Sequence, residues 1–282
     1  MKELGKKSKI AIIVLAVLAG VGAYLYNDFH KFCATTVPVF AYHRVEDKED
    51  IYSMPPKDFE AQMAYLKACG YQTIHLDEYA VARKKGETLH NKVVCIFDDG
   101  YLDNLTNAAP IMQKYGFSGS MYMAVMFEGW PGYIDWDGEN KLVNDYKWEI
   151  GSHTFKHKPL PSLKPAQVKE ELDKSKLYVM GIYNPPTGLT LSYPTGATNP
   201  SVMKQVAEAG YIAAVCGKVG VNTDTVPMMA LNRVNVFKFP KDNLGHFKRG
   251  LLKAQLASWG RTYGIDIIEL WDKLRGNVTA KK

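Results

Sequence analysis

From Val37 onward, short runs of β-branched and aromatic residues alternate with longer stretches whose apolar positions recur at helical spacing. Val37–Tyr42 precedes a helix-like Lys57–Cys69, Gln72–Leu76 precedes Asp77–Lys84, and Lys92–Phe97 precedes Leu102–Tyr115. The rhythm continues through strand-like Ser120–Val125, Lys147–Ser152, Leu189–Tyr193, Ile212–Val215 and Leu231–Val236. Between them lie helix-like Pro165–Met180 and Pro200–Ala209, and Asp242–Ala257 follows the last. Such alternation predicts βα units on a parallel sheet. Seven or eight units predict an α/β barrel, and 282 residues suffice for one barrel of about 250 residues but not for two full domains. The stretch from Phe127 to Tyr146 reads as irregular, too polar and broken for a regular element, and long enough for a lid or substrate wall.

A different pattern occupies the first thirty residues. Four lysines, at positions 2, 6, 7 and 9, precede an uncharged run from Ile10 to Tyr26, which as a helix spans roughly 25 Å, the short end for a bilayer crossing. The positive flank places the N-terminus in the cytoplasm and everything after the run outside it. Val21-Gly22-Ala23 offers the small residues of a signal-peptidase site, which would release the chain, yet the apolar run continues through Tyr24-Leu25-Tyr26 and favours an uncleaved anchor. Residues 1–30 are therefore expected to form a cytoplasmic basic stub and membrane anchor, and residues 31–282 one folded domain.

Charge and cysteines narrow the classes further. Of the net +6, residues 1–9 supply +3 and Lys281-Lys282 supply +2, which leaves +1 for residues 10–280. A nucleic-acid-binding domain would carry its charge in the folded body. Cys33, Cys69, Cys95 and Cys216 are too widely spaced for a disulfide framework and are expected to be free, buried thiols. No GxGxxG follows a strand, and neither GxxxxGK[ST] nor GxSxG occurs, so nothing points to a nucleotide or a serine nucleophile.

Chemistry concentrates at strand ends. Val93–Phe97 ends abruptly in Asp98-Asp99-Gly100. Adjacent carboxylates are costly unless a cation shares the site, and a divalent metal would let one acid bind while the other stays free as a base. Asp-Gly after a strand is equally an ordinary turn, with Asp as a helix cap. A second strand ends at Ser152 and is followed by His153 and His157, whose i, i+4 spacing points both imidazoles one way if the turn is helical. With Asp99 they make a two-histidine, one-carboxylate set that leaves coordination positions open for water and substrate.

Together these residues resemble the polysaccharide deacetylase family, carbohydrate esterase family 4, also called the NodB-homology domain. Its TFDDG motif appears as Ile96-Phe97-Asp98-Asp99-Gly100 and its H[ST]xxH motif as His153-Thr154-Phe155-Lys156-His157; the likeness runs from about Val37 to Ala257. The opening strand, ending Ala41-Tyr42-His43-Arg44-Val45, is similar to the start of the branch acting on surface polysaccharides such as poly-N-acetylglucosamine. The resemblance implies a distorted (β/α)7 barrel, here behind one transmembrane helix, with residues 31–282 as the catalytic domain. It implies Asp99, His153 and His157 as ligands of Zn2+, with Ni2+, Co2+ or Fe2+ as alternatives, and Asp98 as catalytic base. The implied activity is removal of acetyl groups, the N-acetyl of GlcNAc units, from a cell-envelope or surface polysaccharide, with the membrane as a partner through the N-terminal helix.

The third family motif, RxP[YF]G, appears as Ser192-Tyr193-Pro194-Thr195-Gly196, without its arginine and aromatic. That arginine steadies the base in the family; Arg233, on the late strand Leu231–Val236, is expected to take its place. Tyr193, Pro194, Thr195 and Gly196 are assigned to substrate and oxyanion contact, with a backbone N–H near Thr195 as the donor. The usual late histidine acid is missing, and His43 is the substitute; His246 reads as part of an amphipathic helix. Trp130, Tyr133 and Trp136 offer rings that could stack on sugars, or merely pack their loop.

Three other readings remain in view: a deacetylase acting on O-acetyl esters, a catalytically weak glycan-binding relative, and a non-haem iron oxygenase. The second acid beside the ligand argues against the last.

Overall fold

The computed structural model describes residues 6–185 and 188–274. A long helix α1 (Lys6–Thr35) precedes a parallel barrel whose strands are β1 (Val39–Tyr42), β2 (Gln72–Thr73), β3 (Lys92–Asp99), β4 (Ser120–Met123), β5 (Glu149–Ser152), β6 (Thr190–Ser192), β7 (Ala213–Val219) and β8 (Leu231–Asn235). Helices α2 (Pro56–Ala68), α3 (Leu76–Lys84), α4 (Ala109–Lys114), α5 (Trp136–Asn144), α6 (Pro165–Ile182), α7 (Pro200–Glu208) and α8 (Asn243–Thr262) alternate with them, and α9 (Ile267–Leu274) follows. Strand β1 pairs with both β8 and β3, which closes a ring of seven. The eighth strand stays outside it: β2 meets only Lys92 and Val93 at the start of β3, whereas β4 takes Ile96–Asp99. The fold is the expected (β/α)7 barrel with an apolar N-terminal helix before it.

Side-chain alternation divides the core into two shells. Val39 and Ala41 of β1, Val94 and Ile96 of β3, Tyr122 of β4 and Leu231 of β8 pack together inside the ring, capped by Leu76, Tyr79 and Ala80 of α3. Their neighbours Phe40, Tyr42, Cys95, Phe97 and Met121 face outward against helices, including Phe59, Met63 and Leu66 of α2. Helix α2 fits that face because Phe59, Gln62, Met63 and Leu66 recur at i, i+3, i+4 and i+7 and all are buried. Phe97 is the hub of the outer shell: its ring stacks on Tyr42 at 5.3 Å, meets Phe59 at 5.9 Å and tilts onto Trp148 at 4.7 Å. At the barrel's N-terminal end the interior turns polar. There Glu149 accepts bonds from Ser120 Oγ, Thr190 Oγ1 and the Leu76 amide. Burial and then the neighbouring Asp77 carboxylate push its pKa up to about 8.

Some sequence expectations need correction. The stretch read as irregular from Phe127 to Tyr146 contains α5, because Asp135 caps the Gly138 amide and tertiary burial of Leu142 and Glu139 selects a helix that composition disfavours. Helix α9 lies beyond the last element expected. Among the cysteines all four are free, but only Cys95 and Cys216 are buried; Cys33 is half-buried and Cys69 is exposed just past α2. Helix α1 runs past residue 30 to Thr35.

Removing the outer-shell hub should be costly. Phe97→Ala is expected to lower unfolding free energy by about 3–5 kcal/mol, read from the midpoint of a urea melt at unchanged slope.

Candidate active site

Strand parity carries the key side chains inward. In β3, Val94 and Ile96 face the ring interior, so Asp98 does too; in β8, Leu231 faces inward, so Arg233 follows. The two meet as a buried pair, Arg233 Nη1 donating to Asp98 Oδ2 at 3.0 Å, with 1% of the Asp98 side chain and 7% of the Arg233 side chain exposed. The other carboxylate oxygen, Oδ1, is buried without a hydrogen-bond partner.

Parity alone would send Asp99 outward with Phe97. Instead Asp99 adopts φ +78° and Gly100 φ +88°, and two successive left-handed residues turn the second carboxylate into the mouth of the barrel. A side chain at position 100 would place its Cβ 2.2 Å from Met123 Sδ, so this turn needs glycine. Similar strain shapes the histidine loop. His153 continues the inward face of β5, but residues 153–157 form no helical turn; Thr154 and His157 both take left-handed φ and fold the loop back, leaving the imidazole centroids 4.8 Å apart. With Thr195 at φ +60°, four of the eight non-glycine residues at positive φ among those described surround this mouth, each costing of order 1–3 kcal/mol.

His153 Nε2 lies 3.5 Å and His157 Nε2 3.1 Å from Asp99 Oδ1, and the candidate ligand atoms of the three residues fall within 4.8 Å of one another. Asp99 Oδ1 is buried and makes no aligned hydrogen bond. His153 Nδ1 sits 2.7 Å from the Ser192 carbonyl, which can only accept, so the proton is on Nδ1 and the Nε2 lone pair faces Asp99. Burial lowers the pKa of His153 against the attraction of Asp98 and Asp99. His157 is 30% exposed; burial pulls its pKa down too, but the contact with Asp99 outweighs it and the net shift is up. Burial opposes ionisation of Asp99, yet the hydrogen-bonding contact with His157 and the imidazoles clustered beside it hold the carboxyl well below its usual range. An orphaned carboxylate oxygen and two aimed imidazole nitrogens form a donor set that fits a divalent cation.

A cavity of about 400 Å3 opens over these groups, lined by His43, Tyr52, Asp98, Asp99, Tyr101, His153, His157, Thr195, Arg233, Asn235 and Phe237. His43 reaches it from the end of β1 with Nδ1 buried and unpartnered. Its turn is tied to the loop after β3: Asn104 donates to the His43 carbonyl, the Val45 amide donates to Asp103, and Asn107 donates to the Val45 carbonyl. Of the third-motif residues only Thr195 lines the cavity. Tyr193 points away and donates its hydroxyl to the Met229 carbonyl, while Pro194 and Gly196 are buried beneath. His246 lies in α8, stacked on Phe239 at 3.6 Å.

Tyr52, Tyr101, Asn235 and Phe237 were not found from sequence. Asn235 carried a signal, since it shares Arg233's face two residues on. Tyr52 carried none: it arrives through the Arg44–Ser53 bridge, within a long loop.

Comparison with known proteins agrees with this geometry. Residues 85–214 match the family model described as Polysaccharide deacetylase. The chain is 31% identical over 201 residues, 71% of each chain, to YxkH of Bacillus subtilis, named as a polysaccharide deacetylase. It is 26% identical over 172 residues to the poly-beta-1,6-N-acetyl-D-glucosamine N-deacetylase of Staphylococcus aureus, covering 56% of this chain and 59% of that one. Among solved structures, deacetylase PplD of Streptococcus pyogenes, in complex with acetate, superposes with a TM-score of 0.69 at 20% identity over 76% of this chain and 98% of its own, a likeness of fold. The similarity to YxkH across more than two thirds of both chains, with the family model spanning both the Asp-Asp and the His-His segments, establishes that this chain belongs to the polysaccharide deacetylase family.

Proposed function

We propose that the chain is a membrane-tethered, metal-dependent deacetylase that hydrolyses the N-acetyl groups of GlcNAc units in an envelope polysaccharide. The observation carrying this reading is the division of labour between the two adjacent carboxylates: Asp98 is clamped by Arg233, and Asp99 faces His153 and His157.

Asp99, His153 and His157 would hold the ion, with Zn2+ the best match to a histidine-carboxylate set and Ni2+, Co2+ or Fe2+ the alternatives. Bound there, a divalent cation supplies Lewis-acid polarisation of a carbonyl and acidification of water. Arg233 occupies Asp98 Oδ2 and leaves Oδ1 free to accept the proton of the attacking water. His43, across the cavity, donates a proton to the departing amine nitrogen as the C–N bond breaks, yielding acetate and a free amino sugar. The backbone at Thr195 faces the oxyanion as it develops. Tyr52, Tyr101 and Phe237 give the mouth an apolar rim suited to a pyranose ring.

Helix α1 has the length and composition to cross a bilayer from Ile10, and none of its apolar window is buried among the described residues. We place it in the membrane, N-terminus inside, with the barrel outside the cytoplasm.

The test is acetate release from N-acetylglucosamine oligomers by the full chain in detergent, chelated and then refilled with metal. Release is expected only after refilling. Asp98→Asn should lower kcat by about 10²–10⁴-fold while metal content stays at the wild-type level; near-wild-type turnover would refute its role as base. His153→Ala should weaken metal binding in calorimetry by more than the roughly 10–100-fold typical of outer-shell partners. Arg233→Ala should lower kcat by about 10²-fold or more with metal retained, and Arg233→Lys should recover part of it. An effect of Arg233→Ala on melting temperature alone would make the pair structural.

A further inference from the structure

The mechanism above leaves one amide side chain of the catalytic cavity without a task. Asn235 ends β8 and lines that cavity, and its Oδ1 is buried with no hydrogen-bond partner among the described residues. A buried acceptor is costly until something donates to it, so the oxygen invites a donor that enters with the substrate.

Its place on the sheet says which donor. Leu231 and Arg233 face the ring interior, so Asn235 follows them one step nearer the mouth. Its Cα partner on β1 is Ala41, which also faces inward, and His43 lies two residues beyond on the same face. The Tyr52 ring meets His43 at 4.8 Å and Phe237 at 5.7 Å, and so walls this corner of the cavity. In the ring of seven, β5 is the third strand from β1 by way of β3 and β4, and the third from β8 by way of β7 and β6. His153, just past the end of β5, therefore stands across the mouth from the β8–β1 junction that carries Asn235 and His43. Thr195, after β6, belongs to the His153 side. An acetyl group held with its oxygen toward Thr195 and His153 turns its other substituent toward Asn235 and His43.

We propose that Asn235 selects amides over esters: its Oδ1 accepts the N–H of the acetamide and fixes the direction of the nitrogen lone pair. The proposal rests on the N-deacetylase reading and assigns its substrate preference to a residue. A secondary amide nitrogen carries one hydrogen for Oδ1. An ester oxygen carries none, so its lone pairs would face those of Oδ1 and leave that acceptor buried and unpaired. In the reaction, water adds to the acetyl carbon and gives a proton to Asp98, and the nitrogen becomes pyramidal. With its hydrogen held on Asn235, the nitrogen turns its lone pair to His43 and takes a proton there. The C–N bond then breaks with its electrons on nitrogen, which leaves as the amine. Asn235 moves no proton and acts by orientation.

The test compares two probes on the metal-loaded full chain in detergent. N-acetylglucosamine pentamer is the amide, and 4-nitrophenyl acetate is an ester whose leaving group departs without protonation, so that it reads the rest of the machinery. In Asn235→Ala, kcat/KM should fall at least about tenfold more on the amide than on the ester. Circular dichroism and metal content should match wild type, because the side chain has no hydrogen bond within the described protein to lose. Asn235→Asp keeps an acceptor oxygen at the same place and should recover part of the amide turnover. Equal losses on the two probes, or amide turnover no higher in Asn235→Asp than in Asn235→Ala, would overturn the role of Asn235 and leave the N-deacetylase reading standing. Wild-type protein that cleaves only the ester, or neither probe, would overturn that reading and this proposal with it.

Discussion

The contact between Arg233 and Asp98 is where the barrel and the chemistry constrain each other. It bridges β8 and β3 across β1, the strand that closes the ring. Burying both charges roughly cancels their attraction, so the pair is a poor source of stability, but removing one partner would strand the other at a cost of about 3–5 kcal/mol. Its yield is orientation: one carboxylate oxygen is committed and the other is free.

Stability comes from elsewhere. The outer shell of Phe97, Tyr42, Phe59 and Trp148 packs directly behind the strand that ends in Asp98-Asp99, and Phe97 precedes Asp98 by one residue. That placement lets the mouth tolerate Asp99, Thr154, His157 and Thr195 in left-handed backbone. Without the rigid strand below, relaxation at Asp99 would return its carboxylate to the outer face, away from His153. Side chains tie the loops as well: Asp103, Asn104 and Asn107 fix the turn carrying His43 to the loop that follows the Asp-Asp pair, so one connection positions both ends of the proposed proton path.

Much of this was legible because strand periodicity and strand ends are local features. Asp98, Arg233 and His153 follow from parity on β3, β8 and β5, and the family motifs named their neighbours. What escaped was set by tertiary contact. Residues 136–144 form a helix only because Asp135 caps it and Leu142 finds a core, against a polar composition. Tyr52 reaches the cavity through a bridge to Arg44 that no spacing announces. The i, i+4 spacing of His153 and His157 would point both imidazoles one way in a helical turn, whereas here left-handed backbone at Thr154 and His157 brings the rings together. Tyr193 was assigned to the substrate because it stands in a motif, but its neighbours direct the side chain to Met229.

The altered third motif has a geometric reading. Ser192 stands where the family carries arginine, yet its glycine survives as Gly196. A Cβ there would lie 2.5 Å from the Gly217 Cα and 3.2 Å from Arg233 Nη2. The turn after β6 thus presses against the guanidinium that arrives from β8. Because β6 and β8 flank β7 in one closed ring, a cation leaving either strand enters the same mouth. Arg233 on β8 thus holds a guanidinium against this turn, and glycine at position 196 leaves the room it needs.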